Sequence, residues 1–111
     1  MKKYILPLVA AALVLYLHLI GMEYSLYFYH WWYDVMMHFL GGFAIASFLY
    51  IFTNEWKQVL VGMLIIATGW EIFEFVLHIE LLNGIKYVFD TIKDFVMDTL
   101  GALLVIYLYK K

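Results

Sequence analysis

Four apolar stretches, each about twenty residues long, take up most of this 111-residue chain. About twenty helical residues match the hydrocarbon thickness of a bilayer. A chain this short has too little interior to hide so much apolar surface from water. Hydrophobic residues make up 67% of it and charged ones 14%, which by itself sets the membrane class. The reading is an all-α polytopic membrane protein, with residues 1–111 forming one four-helix transmembrane domain. Its helices are expected over residues 4–22, 33–52, 58–79 and 92–109.

Charge orients these segments. Four spans put Lys2, Lys3, Lys57, Lys110 and Lys111 on one side and leave Lys86 and Lys93 on the other. The positive-inside rule then makes both termini cytoplasmic, in a multi-pass protein of the cell (inner or plasma) membrane. Met1-Lys2-Lys3 before an apolar run has the look of a signal peptide. However, Ala10-Ala11-Ala12 lie in mid-run with no cleavage-like site after them, so the run reads as a first spanning helix. All seven basic residues are lysine, which argues against a nucleic-acid partner. The absence of cysteine excludes disulfides and thiolate metal sites.

Between the spans, the aromatic run Tyr24 to Tyr33 suits an interfacial belt. Thr53 to Lys57 reads as a tight polar turn. The connection from Glu80 to Lys93 carries the turn signal Asn83-Gly84, with Ile85 to Phe89 as a short interfacial piece. Gly42 with Ala46, and Gly62 with Gly69, are expected to form small-residue packing seams.

Within these segments the ionisable residues fall in short-spaced sets, each on one helix face. Asp34 and His38 are four apart, Glu71 and Glu74 three apart, and Asp94 and Asp98 four apart. With the outer ends of the helices aligned, the sets share one depth, and His78 and Asp90 join Asp34 and Asp94 in a layer nearer the surface. Clustered carboxylates in a medium of low polarity need protons or a cation, and no lysine lies at the depth needed to neutralise them. A divalent metal answers this: Mg²⁺, Mn²⁺, Fe²⁺ or Zn²⁺, as one or two ions. His38, Glu71, Glu74, Asp94 and Asp98 are the expected metal ligands. Asp34 and Glu71 are the expected catalytic residues, Asp34 orienting His38 or acting as general base. The plainer alternatives are helix caps for Asp34 and Asp94 and an interior hydrogen-bonded histidine for His38.

The runs Tyr33-Asp34-Val35-Met36-Met37-His38-Phe39-Leu40-Gly41-Gly42, Glu71-Ile72-Phe73-Glu74 and Asp90-Thr91-Ile92-Lys93-Asp94-Phe95-Val96-Met97-Asp98-Thr99-Leu100-Gly101-Ala102 resemble, in that order, the YjdF-like family of small prokaryotic integral membrane proteins. More distantly they are similar to VanZ-like proteins. The resemblance implies the membrane fold and the same choice of site residues. Glu74 stands where the VanZ-like pattern has glutamine, and Asp98 where asparagine is common. Both changes make the site more acidic and favour a metal.

The function expected from these residues is a divalent-metal-binding membrane protein, a metal-dependent hydrolase or transferase. Its substrate would be lipid-linked or amphiphilic, reached from the extracytoplasmic side, with membrane lipids as its surroundings. One alternative is a cation- or proton-coupled transporter or channel, which four short helices could form only as a homo-oligomer. The other is a structural membrane subunit held together by its polar cluster.

Overall fold

A computed structural model of the chain describes residues 2–78 and 84–109. They form five helices: α1 (Lys2–Glu23), α2 (Leu26–Tyr29), α3 (Trp31–Leu49), α4 (Trp56–His78) and α5 (Gly84–Tyr109). The fold is an all-α membrane bundle. Three of its helices, over Tyr4–Glu23, Trp31–Leu49 and Trp56–Phe73, are long and apolar enough to cross a bilayer. The bundle is 43 Å along its longest axis, close to the thickness of a bilayer with its headgroups (about 40–45 Å).

The ends of the elements follow local chemistry. Ser25 takes a left-handed conformation (φ 56°) that breaks α1 from the single turn α2, and His30 is extended between α2 and α3. Past Leu49 the chain turns through Tyr50 to Phe52, so α3 stops short of the expected 52. The turn is fastened where Thr53 Oγ1 donates to Gln58 Oε1 at 2.5 Å and accepts from the Glu55 amide at 3.1 Å. The fourth long helix departs most from expectation, beginning at Gly84 rather than at residue 92. The residues expected to form an interfacial piece are its first turns. Asn83, the other half of the turn signal, lies outside the described residues. Lys93, Asp94 and Asp98 keep the first half of α5 from being an apolar span in its own right.

Size is distributed inside out relative to a water-soluble domain. Many of the buried residues are small, among them Gly42, Ala46, Ser47, Ala67, Gly101 and Ala102. Large apolar side chains such as Leu8, Ile65, Val76 and Phe89 are exposed. Lipid is as apolar as leucine, so burying large side chains gives little drive between helices, whereas small residues let backbones approach and pack.

α3 is the centre of the bundle, packed against α1, α4 and α5. On its α1 side, the buried Tyr33 donates its hydroxyl hydrogen to the Leu17 carbonyl oxygen. Tyr33 is therefore an interhelical tie rather than a belt residue. On its other side α3 runs parallel to α5: Asp34 meets Lys93, His38 meets Asp98, and Tyr50 stacks on Tyr109 with ring centroids 4.5 Å apart. The two backbones touch between these pairs. A Cβ on Gly42 would collide with the Asp98 carbonyl, and one on Gly101 with the Phe39 carbonyl and the Phe43 amide nitrogen. Of the second expected seam, Gly62 meets the side chain of Leu49, but Gly69 has nothing within 4 Å and belongs to no seam.

These contacts set a prediction with its control one residue away. Gly42→Ala and Gly101→Ala must push two backbones apart and are expected to cost at least about 1–3 kcal/mol. Gly41→Ala and Gly69→Ala meet nothing within 4 Å and should be neutral or stabilising by up to about 1 kcal/mol. Thermal unfolding of the four variants in detergent would separate the two classes.

Candidate metal centre

Each of three helices carries one inward stripe at about four-residue spacing, and each stripe is polar at one end. On α3 it runs Asp34, His38, Gly42, Ala46, Tyr50, and on α5 it runs Asp94, Asp98, Ala102, with Val105 and Tyr109 beyond. On α4 it runs in reverse as Glu71, Ala67, Met63, Val59. The apolar parts form a single core of Ala46, Tyr50, Val59, Met63, Ala67, Ala102 and Val105. Helical spacing thus delivers the polar ends to one place. Gly62 of α4 lies level with Leu49 of α3. At the usual rise, Glu71 stands about 13 Å above that level and His38 about 16 Å above it, less than one turn apart.

His38 is the hub. Its Nε2 lies 3.3 Å from Asp94 Oδ1 and 3.6 Å from Asp34 Oδ1, and its Nδ1 lies 3.3 Å from Asp98 Oδ1. Lys93 Nζ is 3.5 Å from the other oxygen of Asp34. Asp94, Asp98 and Glu71 are buried at 2%, 6% and 6% exposure, whereas the side chains of Asp34 and Lys93 are 33% and 38% exposed. The cluster is closed on the α5 side and open beside Asp34.

Two chemical states fit this geometry: an imidazolium donating from both ring nitrogens, or a neutral ring with a cation on its Nε2 side. A neutral imidazole carries one N–H, so it can donate to a carboxylate on one ring nitrogen only. Two ligands held about 2.1 Å from one ion at a tetrahedral angle stand about 3.4 Å apart. Nε2 has carboxylate oxygens at 3.3 and 3.6 Å, which is the spacing of ligands around a shared ion. One atom each from Asp34, His38 and Asp94 can be chosen so that all lie within 4.8 Å of one another. The residues fit a divalent cation.

Of the residues expected from the sequence, the structure brings together Asp34, His38, Asp94 and Asp98 from two helices, and buries Glu71 on a third. Asp34 is not a cap, since His30 holds that position and makes no side-chain capping bond. Asp94 lies well inside α5, so capping does not explain it either. The side chains of Glu74, His78 and Asp90 lie outside the described residues. One expectation is overturned: a lysine does reach the cluster. Lys93 immediately precedes Asp94 on α5, and its long flexible stem brings the ammonium to 3.5 Å from Asp34. Thr91, three residues before Asp94 on α5, has its Oγ1 buried with no hydrogen-bond partner among the described residues.

The fold and the cluster define a multi-pass helical membrane protein with a carboxylate–histidine centre buried toward one end of its bundle. The chain belongs to the family described as Predicted membrane protein (DUF2238), whose model matches residues 5–111. No curated protein and no solved structure is significantly similar to it. The family match supplies membrane character. The YjdF-like and VanZ-like names rest on the motif resemblance alone.

Burial makes the members of the cluster unequal. His38→Leu would leave Asp94 and Asp98 buried without their shared partner and is expected to destabilise the protein by about 3–5 kcal/mol. Lys93→Met removes a half-exposed partner and should cost less than about 1 kcal/mol. Unfolding curves in detergent check the ratio, and equal losses would contradict the hub role of His38.

Proposed function

We propose that this protein holds a divalent cation in the membrane through Asp34, His38 and Asp94 and uses it to process an amphiphilic substrate. The observation that carries the reading is the two-sided engagement of His38. With Nε2 turned to the ion and the Nδ1 hydrogen donated to Asp98, both ring contacts are satisfied by one tautomer. A carboxylate behind a ligating histidine is a recurrent arrangement that fixes the ring and strengthens it as a ligand. In this reading Asp34 is a ligand and Asp98 a positioning residue, which exchanges the roles expected from their spacing.

Three protein ligands leave coordination positions for a substrate and a water, as catalytic rather than structural sites do. Such an ion polarises a phosphoryl or acyl oxygen and makes water a better nucleophile at neutral pH. Glu71, buried at the same level on α4, is the proposed proton acceptor, with Glu74 beside it in the sequence. The reaction class is hydrolysis or group transfer, with both termini cytoplasmic and the cluster toward the outer leaflet.

The packing below the cluster favours this over transport. The stripes beyond His38 and Asp98 close on the backbone contact at Gly42 and Gly101 and continue as Ala46, Met63, Ala102 and Val105. No polar path leads on from the cluster among the described residues. A site closed at its base suits a protein that binds and converts better than one that conducts.

The test is elemental analysis of detergent-purified protein after loading with Mn²⁺, Zn²⁺, Fe²⁺ or Mg²⁺. Wild type should retain one or two ions per chain, and His38→Gln and Asp94→Asn should retain none. Asp98→Asn should weaken binding by about 10–100-fold. A wild type that retains no ion would sink the reading.

A further inference from the structure

Beside the centre, α3 and α5 leave a groove that no described part of the chain fills. Asp34, Gly41 and Phe48 are seven apart on α3 and share one face. Asp34 is partly exposed, Phe48 is exposed, and a Cβ on Gly41 would meet nothing within 4 Å. On α5 the matching line is Lys93, Met97, Leu100 and Leu104, of which Leu100 and Leu104 are exposed. Asp34 meets Lys93 at one end and Tyr50 meets Tyr109 at the other, with the same offset in sequence. The two helices therefore stay in register, and Gly41 stands level with Leu100.

Both lines lie on one flank of the pair. Phe95, Ala102 and Ile106 turn the opposite side of α5 to the core shared with α4. α1 packs on α3 without reaching α5 among the described residues. The flank is thus open sideways within the apolar span Trp31–Leu49, where the surrounding medium is lipid. Its surface is graded: Asp34 and Lys93 at one end, then the bare backbone of Gly41, then Phe48, set edge-on to Phe52 with ring centroids 5.3 Å apart. Asp34 to Phe48 is about 21 Å at the usual rise, more than one leaflet's share, about 15 Å, of the hydrocarbon core.

Gly41 has no packing reason to be glycine, since Gly42 and Gly101 make the contact between the helices. Glycine within a helix is costly, and what its absent side chain provides here is room.

We propose that this flank is the lateral entrance to the centre and seats one acyl chain of a bilayer lipid over Gly41, with the headgroup at the Asp34 edge. This rests on the metal reading for its chemistry and makes the substrate a membrane lipid, taken sideways from the leaflet level with the cluster. A lipid is polar at one end and apolar along the rest, which is the order of surfaces the flank presents. A second copy of the chain seated here would bury Asp34 and Lys93 at a desolvation cost, whereas a lipid brings its own polar group to them.

The test uses the full chain in nanodiscs of phosphatidylcholine, part of it carrying a diazirine midway along one acyl chain. After irradiation, peptide mass spectrometry maps the inserted lipid. Insertion should concentrate on Met97, Leu100, Leu104 and the α3 residues around Gly41, in preference to Ile65 and Ile72 of α4, which are more exposed. Gly41→Leu and Gly41→Trp fill the groove and should cut the labelling of α5 several-fold, leaving that of α4 unchanged. Gly69→Trp, at the open glycine of α4, should leave α5 labelled as in wild type. Thermal unfolding matched to wild type reports that the variants fold. Even labelling of α4 and α5 in wild type, or unchanged α5 labelling in both Gly41 variants, would overturn the groove. Protection of the flank with cross-linking between chains would also overturn it and assign the surface to a second copy. Labelling needs no metal: the lipid pattern in a protein that retains no ion overturns the metal reading alone, and a retained ion without the pattern overturns the groove alone.

Discussion

The backbone contact between α3 and α5 is the constraint on which the rest of this molecule depends. Gly42 lies against the Asp98 carbonyl, and Gly101 against Phe39 and Phe43. No side chain separates the helices there, so the residues one turn above are forced into direct contact. His38 faces Asp98 because Gly42 is a glycine. With bulky residues at this crossing, the helices would stand several ångströms further apart, and the 3.3 Å contacts to His38 would become water-filled gaps. The same crossing seals the lower side of the centre with packed backbone and small side chains. Site and seal are two ends of one parallel helix pair.

Much of this architecture is legible in the amino-acid sequence. Length and composition give four apolar segments, three of which are apolar enough throughout to be spans, and the spacing of Asp34 with His38 and of Asp94 with Asp98 sets the inward faces. The Gly42–Ala46 seam follows from the tolerance of membrane helices for small interfacial residues. The rest is hidden for a common reason. Spacing states which face a residue is on, but not how far a side chain reaches or which partner it finds. The Cα of Lys93 gives its depth, yet a long side chain relocates its charge. Gly69 looks like Gly42 in sequence and differs only because no helix comes to meet it. The start of α5 is obscured because polar residues at 86, 90, 93 and 94 resemble a connection when there is no neighbour to shelter them. Asp34 and Asp98 exchange roles in the proposed centre because the choice between ligand and orienting group depends on which ring nitrogen each one faces.

The centre is also graded in polarity along its length. Each stripe passes from carboxylate through glycine or alanine to an apolar or aromatic residue, and the Tyr50–Tyr109 stack closes the far end. Charge at membrane depth is costly and persists where it is paired or lines a cavity. Here it is confined to one end, against the hub histidine and the open Asp34 edge. The family match to a membrane protein over residues 5–111 and the inside-out distribution of residue size are independent observations of one solvent.

The composition of α5 carries a consequence for how the chain is made. His38 and Asp98 are 60 positions apart, and three long helices are complete before the last acid-bearing one leaves the ribosome. A segment with Lys93, Asp94 and Asp98 in its first half partitions poorly into lipid on its own. Its entry is favourable against a surface already offering an imidazole and a glycine groove. In the bundle α3 is that surface, with His38 facing Asp94 and Asp98 and Gly42 lying against the Asp98 carbonyl. The residues that build the centre are thereby also the ones that make an acid-bearing helix compatible with the bundle.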